Sequence, residues 1–227
     1  MSKTSETDHA KNVANFEELF NYAVSYNQDY NPSREALQVE ALQITLTNGK
    51  KCMADYNSAF SPYKMAAAER KVAFEPLSKL TTRLLNSLKA TETTVQMDET
   101  AQSLARKIKG ERASAKNEND PAQQGESSDA EAKQISASQI SYDNRLDNFS
   151  KFILHLQNIP QFKPNETELK HEALQAVYDN MAEKNNKAKL TGITLSNARI
   201  ARDKVLYEPL TGLVDIASDT KTYIKSL

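Results

Sequence analysis

Apolar residues recur along this chain at helical spacing, in segments separated by proline, glycine and polar runs. Val13, Phe16, Leu19, Phe20, Ala23 and Val24 mark a first helix over residues 10–29. Tyr142, Leu146, Phe149, Ile153 and Leu156 mark a similar one over 139–158, stopped before Pro160. Leu37, Ala41 and Ile44 set a second stripe, with Leu169, Ala173 and Val177 as its counterpart. The helices carrying these stripes open after Pro32 and Pro164. Ser33 and Asn165 are their predicted N-caps, because a side-chain oxygen there can accept an unpaired backbone N–H. Asn165 with Glu168 also fits a capping box. Asn48-Gly49 reads as a turn, yet the matching Asn180-Met181 lies in a helical stretch, so a continuous helix to about residue 58 is predicted. Reversals are then expected near 59–62, at Ser61-Pro62, and near 191–194, at Gly192.

A third stripe crosses proline twice. Ala73, Leu77, Leu80, Leu84 and Leu88 keep one phase through Pro76, and Leu206, Leu210, Leu213, Ala217 and Ile224 keep it through Pro209. Unbroken phase predicts one long helix bent at each proline. The lost hydrogen bond costs about 3 kcal/mol. Burial of one or two leucines, at roughly 1.5–3 kcal/mol each, offsets it. The alternative is two helices joined there, with the proline in a first turn.

The stripes match because the sequence repeats. NPSREALQVEALQ (31–43) lies over KPNETELKHEALQ (163–175) at an offset of 132. VAFEPLSKL (72–80) lies over VLYEPLTGL (205–213), and ANFEELF over DNFSKFI, both at 133. Three ordered blocks with a one-residue slip are the pattern of a duplicated three-helix unit. Between the copies, TVQMDETAQSLARKIK (94–109) predicts a further helix ended by Gly110. Residues 111–134 contain no apolar residue except alanine, too little to offset the entropy of ordering. The expected organisation is a flexible N-terminus (1–9), a first helical repeat plus extra helix (10–110), a polar flexible linker (111–138) and a second helical repeat (139–227). The fold class is all-α: an elongated helical bundle of two homologous three-helix repeats, its long helices bent at proline.

Composition supports that class and narrows function. Glycine (5) and proline (7) are scarce, which excludes a turn-rich β fold, and 39% hydrophobic with 26% charged residues suits an elongated bundle. A net charge of −1 supplies no field to gather nucleic acid or an acidic membrane. Arg106, Lys107, Lys109, Arg112 and Lys116 form a basic patch, but Glu111 interrupts it and no aromatic residue is interleaved. The opening MSKTSETDHAKN is polar and no apolar run approaches about 20 residues, so a cytoplasmic protein without a membrane span is expected. LSNARIARDKVLY, TGLVD and KTYIKSL, with the polar mid-chain segment, give the chain a resemblance to a group of uncharacterised bacterial all-helical proteins. That resemblance implies a duplicated helical fold, and no known activity, ligand or partner comes with it.

Candidate chemistry is thin. Glu168-Leu-Lys-His171 puts a carboxylate and an imidazole on one helix face, as di-iron bundles require. The repeat places Ala36 and Val39 where symmetry would need the other ligands, so an exposed or capping His171 is expected. His9 and His155 lack partners at motif spacing, and Cys52 reads as a buried structural thiol. Glu75 and Glu208, each before a proline, would pair only if the copies faced each other. No catalytic, cofactor-binding or metal residue is predicted. The expectation is a non-enzymatic, coiled-coil-like interaction or structural module, with a protein partner or self-association. Its alternatives are a pore-forming protein and a small-ligand carrier or enzyme at the proline bends.

Overall fold

The computed structural model describes residues 6–111 and 141–227, and all regular structure among them is helical. Helix α1 is Glu6–Ser25, α2 is Val39–Phe74, α3 is Leu77–Lys89 and α4 is Val95–Lys109. After residue 141 come α5 (Tyr142–Gln157), α6 (His171–Tyr207) and α7 (Leu213–Ile224). One-turn 3-10 segments, Glu35–Leu37 and Thr167–Leu169, precede α2 and α6. The linker expected at 111–138 lies outside the described residues apart from Glu111. Residues 6–9, expected as flexible, belong to α1.

The long helices start and stop where backbone hydrogen bonding dictates, which differs from the sequence expectation at both ends. Ser33 and Asn165 do not cap them. The 3-10 turns intervene, and the first helical bonds run from Leu42 N–H to the Gln38 carbonyl and from Leu174 N–H to that of Lys170. The turns also reset the phase. Leu37 is buried, but the core stripe of α2 continues through Leu42 and Leu46, leaving Ile44 62% exposed.

No reversal occurs at 59–62 or 191–194: α2 runs for 36 residues and α6 for 37. Pro62 sits inside α2 on an exposed position, as does Ser58 four residues back, so the carbonyl deprived of its partner faces water. The breaks fall instead at the Glu-Pro pairs, so each predicted bent helix is two helices. At the first, Glu75 N–H bonds the Val72 carbonyl, and Pro76 caps α3 by accepting from Leu80 N–H. At the second, the Glu208 carbonyl accepts from Thr211 and Gly212, and Leu210 takes a left-handed φ of 67°. Gly212 is required here: a Cβ would lie 2.6 Å from Glu208 N and 2.7 Å from Glu208 O.

Two compact units result, and they do not follow the repeats. Unit 1 comprises residues up to Met65 together with Lys189–Leu227, and unit 2 is Ala66–Ala188. Each long helix contributes its N-terminal part to one unit and its C-terminal part to the other. In unit 1, Val13, Phe16 and Ala23 of α1 pack with Leu42 and Leu46 of α2, Leu206 of α6, and Leu213 and Ile216 of α7. Gly49 lets α2 approach this core closely, since its Cβ would meet Leu213 Cδ1 at 2.6 Å. In unit 2, Leu77, Leu84 and Leu88 of α3 pack with Ala101, Ala105 and Ile108 of α4, Phe149 and Phe152 of α5, and Leu174 and Met181 of α6. The α4 helix matches its expected span, capped by Thr94 accepting from Met97 N–H and closed by Gly110 at φ 73°.

Candidate functional site

The outer face of α6 in unit 1 is the surface least explained by the fold. Leu195 and Arg202 are buried on the inner face, Leu195 against Tyr56 and Ala59 of α2. Turned away from them, Leu190, Ile193 and Ile200 are 63%, 58% and 65% exposed. With the exposed Asn197 they follow spacings of three, four and three, the a/d pattern of a coiled-coil seam. Residues 190–198 carry no charge. A single exposed leucine needs no explanation; here three apolar side chains align on one helical face.

Beneath this face, unit 1 holds a polar cluster that the sequence did not reveal. His9 is buried, its Nδ1 2.7 Å from the Tyr207 hydroxyl, which also accepts from Asn12 Nδ2 at 3.1 Å. The Arg202 guanidinium, only 3% exposed, donates twice to Asp203 Oδ1 and lies 4.8 Å over the Tyr56 ring. Cys52 donates to the Gly49 carbonyl at 3.1 Å; burial pushes its thiol up, with Arg202 pulling the other way. Burial likewise raises the Tyr207 phenol. A neutral thiol bonded to a carbonyl is a packing group, not a nucleophile.

Unit 2 has a corresponding cluster. Phe74 meets Tyr142 edge to face at 4.8 Å, where Tyr207 of unit 1 meets His9 in a tilted contact at 5.5 Å. Positions 74 and 207, and 9 and 142, are each 133 apart. Arg70, 132 before Arg202, stacks 4.1 Å over Tyr142 and reaches Asn185, which donates to Asp143 at 2.8 Å. Each ring pair joins the end of one long helix to the first helix of the other predicted copy.

The remaining sequence candidates are dispersed. Glu168 pairs with Arg83, not with His171, which opens α6 exposed beside a cleft of about 180 Å³ lined by Ile153, Leu156 and Phe162. His155 Nε2 bonds the Met97 carbonyl at 2.9 Å, half-buried at the edge of the unit 2 core. Glu75 belongs to unit 2 and Glu208 to unit 1. Beside the Pro209 break, Thr45, Asn48, Lys204, Val205, Glu208 and Thr211 line a cleft of about 250 Å³, below the roughly 300–1,000 Å³ of small-molecule pockets. Of the basic patch, Arg112 and Lys116 lie outside the described residues. Among the described residues, no three His, Cys, Asp or Glu side chains are grouped to hold a metal, and no helix is long and apolar enough to cross a membrane.

Fold and surface together define the class: an all-α helical bundle protein with an outward apolar seam. Comparison of the chain with known protein families, curated sequences and solved structures finds no match.

Proposed function

We propose that this chain is a non-enzymatic helical interaction module, built from a doubled three-helix unit and working in the cytoplasm, that engages a protein helix through the outer face of α6. The observation that carries this reading is the exposed seam of Leu190, Ile193 and Ile200, interrupted by Asn197. A folded helix already buried on one side offers a preordered surface, so a partner helix bears little of the ordering cost.

A photo-cross-linking side chain placed at the exposed Ser196 tests it in cells. The expected result is a discrete protein adduct that disappears when Ile193 and Ile200 are changed to serine, with helical circular dichroism unchanged. No adduct, or one indifferent to those changes, would remove the support for this reading.

A further inference from the structure

We infer that the helix docking on α6 is the α6 of a second copy of this chain, paired antiparallel about a two-fold axis; this rests on the interaction reading above. In heptad terms Leu190, Asn197 and Lys204 occupy a positions, and Ile193 and Ile200 occupy d positions. Antiparallel helices stack a against d. One alignment sets Leu190 opposite Ile200 of the second copy and Ile193 opposite its Asn197, and the two-fold axis repeats both layers.

The flanking charges select this alignment. It brings Lys189 opposite Asp203 of the second copy, twice, on the g rows beside the seam. Both side chains are exposed and both already have partners; the Lys189 ammonium with its three donors and Asp203, which holds Arg202 through Oδ1, each have the capacity for a further bond. Near the axis the facing residues are Ser196 and Thr194, small enough for close approach. A parallel pairing would stack Lys204 on Lys204 and set Lys189 against Thr194, with no opposite charge. Asn197 weakens the seam but disfavours slipped alignments.

Area sets the strength. The seam from Lys189 to Lys204 extends roughly 22 Å along one helix. Such a strip buries less than the approximately 1,200 Å² of a stable specific interface, so the dimer is weak and depends on concentration.

Sedimentation of the full chain between roughly 10 µM and 1 mM is expected to show a monomer–dimer equilibrium. Lys189→Glu should weaken association about tenfold, and adding Asp203→Lys should restore it. Should the loss of the Asp203–Arg202 bond unfold that variant, Ile193→Ser with Ile200→Ser, which alters only exposed side chains, should abolish the dimer in a folded chain. Spin labels at Lys204→Cys in a Cys52→Ala background should lie roughly 25–35 Å apart when antiparallel, against about 10 Å when parallel. A monomer throughout, a short label distance or failed charge rescue in a folded variant overturns the inference. If the chain stays monomeric while the Ser196 cross-linker captures a different protein through Ile193 and Ile200, self-pairing falls and the broader reading survives. A monomer with no adduct overturns both.

Discussion

Three glycines show how single residues set the limits of this fold. At Gly212 an added Cβ would press on the Glu208 backbone, which has no means of yielding, so Gly212→Ala should destabilise by about 2–4 kcal/mol. At Gly49 the obstacle is the buried Leu213 side chain. Overpacking of roughly 1–3 kcal/mol there should exceed the helix-propensity gain of about 1, leaving Gly49→Ala modestly destabilised. Gly192 is different, because its Cβ would reach only 3.4 Å from the Tyr63 ring, and Gly192→Ala should stabilise by up to about 1 kcal/mol. Urea denaturation of the three variants checks the order, and a destabilised Gly192→Ala would mean α6 and α2 pack more tightly there. The raised Cys52, Tyr30 and Tyr207 predict a pH response. Below the unfolded values both states keep these protons and the full stability is present. Above roughly pH 9 the unfolded chain releases them first, so stability should fall as pH climbs through the higher folded values. Native Cys52 should correspondingly resist a thiol reagent until denaturant is added; rapid labelling of the folded chain would contradict its burial.

At the scale of elements, position decides what a proline costs. Pro62 lies inside α2 and removes a helical bond, whereas Pro76 precedes α3, where its missing N–H has no partner to lose. Pro62→Ala should therefore stabilise by about 1–3 kcal/mol, and Pro76→Ala should change stability by less than about 0.5. Thermal unfolding of both variants distinguishes this from a bent continuous helix, in which Pro76→Ala would give the larger gain. The breaks recur at Glu75-Pro76 and Glu208-Pro209, but the chain leaves them differently. Leu77 enters the next helix at once, while Leu210 turns left-handed and only Leu213 starts α7, which exposes Leu210 to 72%.

At the scale of the molecule, the composition of unit 1 makes α1 depend on the far end of the chain. Its Val13 and Phe16 share a core with Leu213 and Ile216 of α7. Ending the chain after Tyr207 should expose that face of α1, and amide hydrogen exchange in Glu6–Ser25 should accelerate towards that of an isolated peptide. Retained protection would show that α2 and the end of α6 suffice to hold α1. The ring pairs His9–Tyr207 and Phe74–Tyr142 express the same reciprocity within each unit, and differ in chemistry. The first is hydrogen-bonded directly, with Asn12 also donating to Tyr207, and the second is stacked under Arg70.

The amino-acid sequence by itself determined the helical class, the interior faces of α1, α3 and α5, the span of α4, and the correspondence of the two Glu-Pro sites, because local periodicity and turn chemistry are carried by neighbouring residues. Val13, Phe16, Leu84, Phe149 and Ile153 are buried as their spacing predicts. The ends of α2 and α6 were not legible, because a solvent-facing Pro62 and a Gly192 packed beside Tyr63 break helices only in other surroundings. The seam on α6 was present as a spacing, yet periodicity alone does not say which of two apolar faces turns inward. Only the tertiary structure decided that Leu195 is core while Ile193 and Ile200 face outward, and that His9 lies beside Tyr207 across nearly the whole chain. Such pairings depend on contacts between distant residues, which no local pattern encodes.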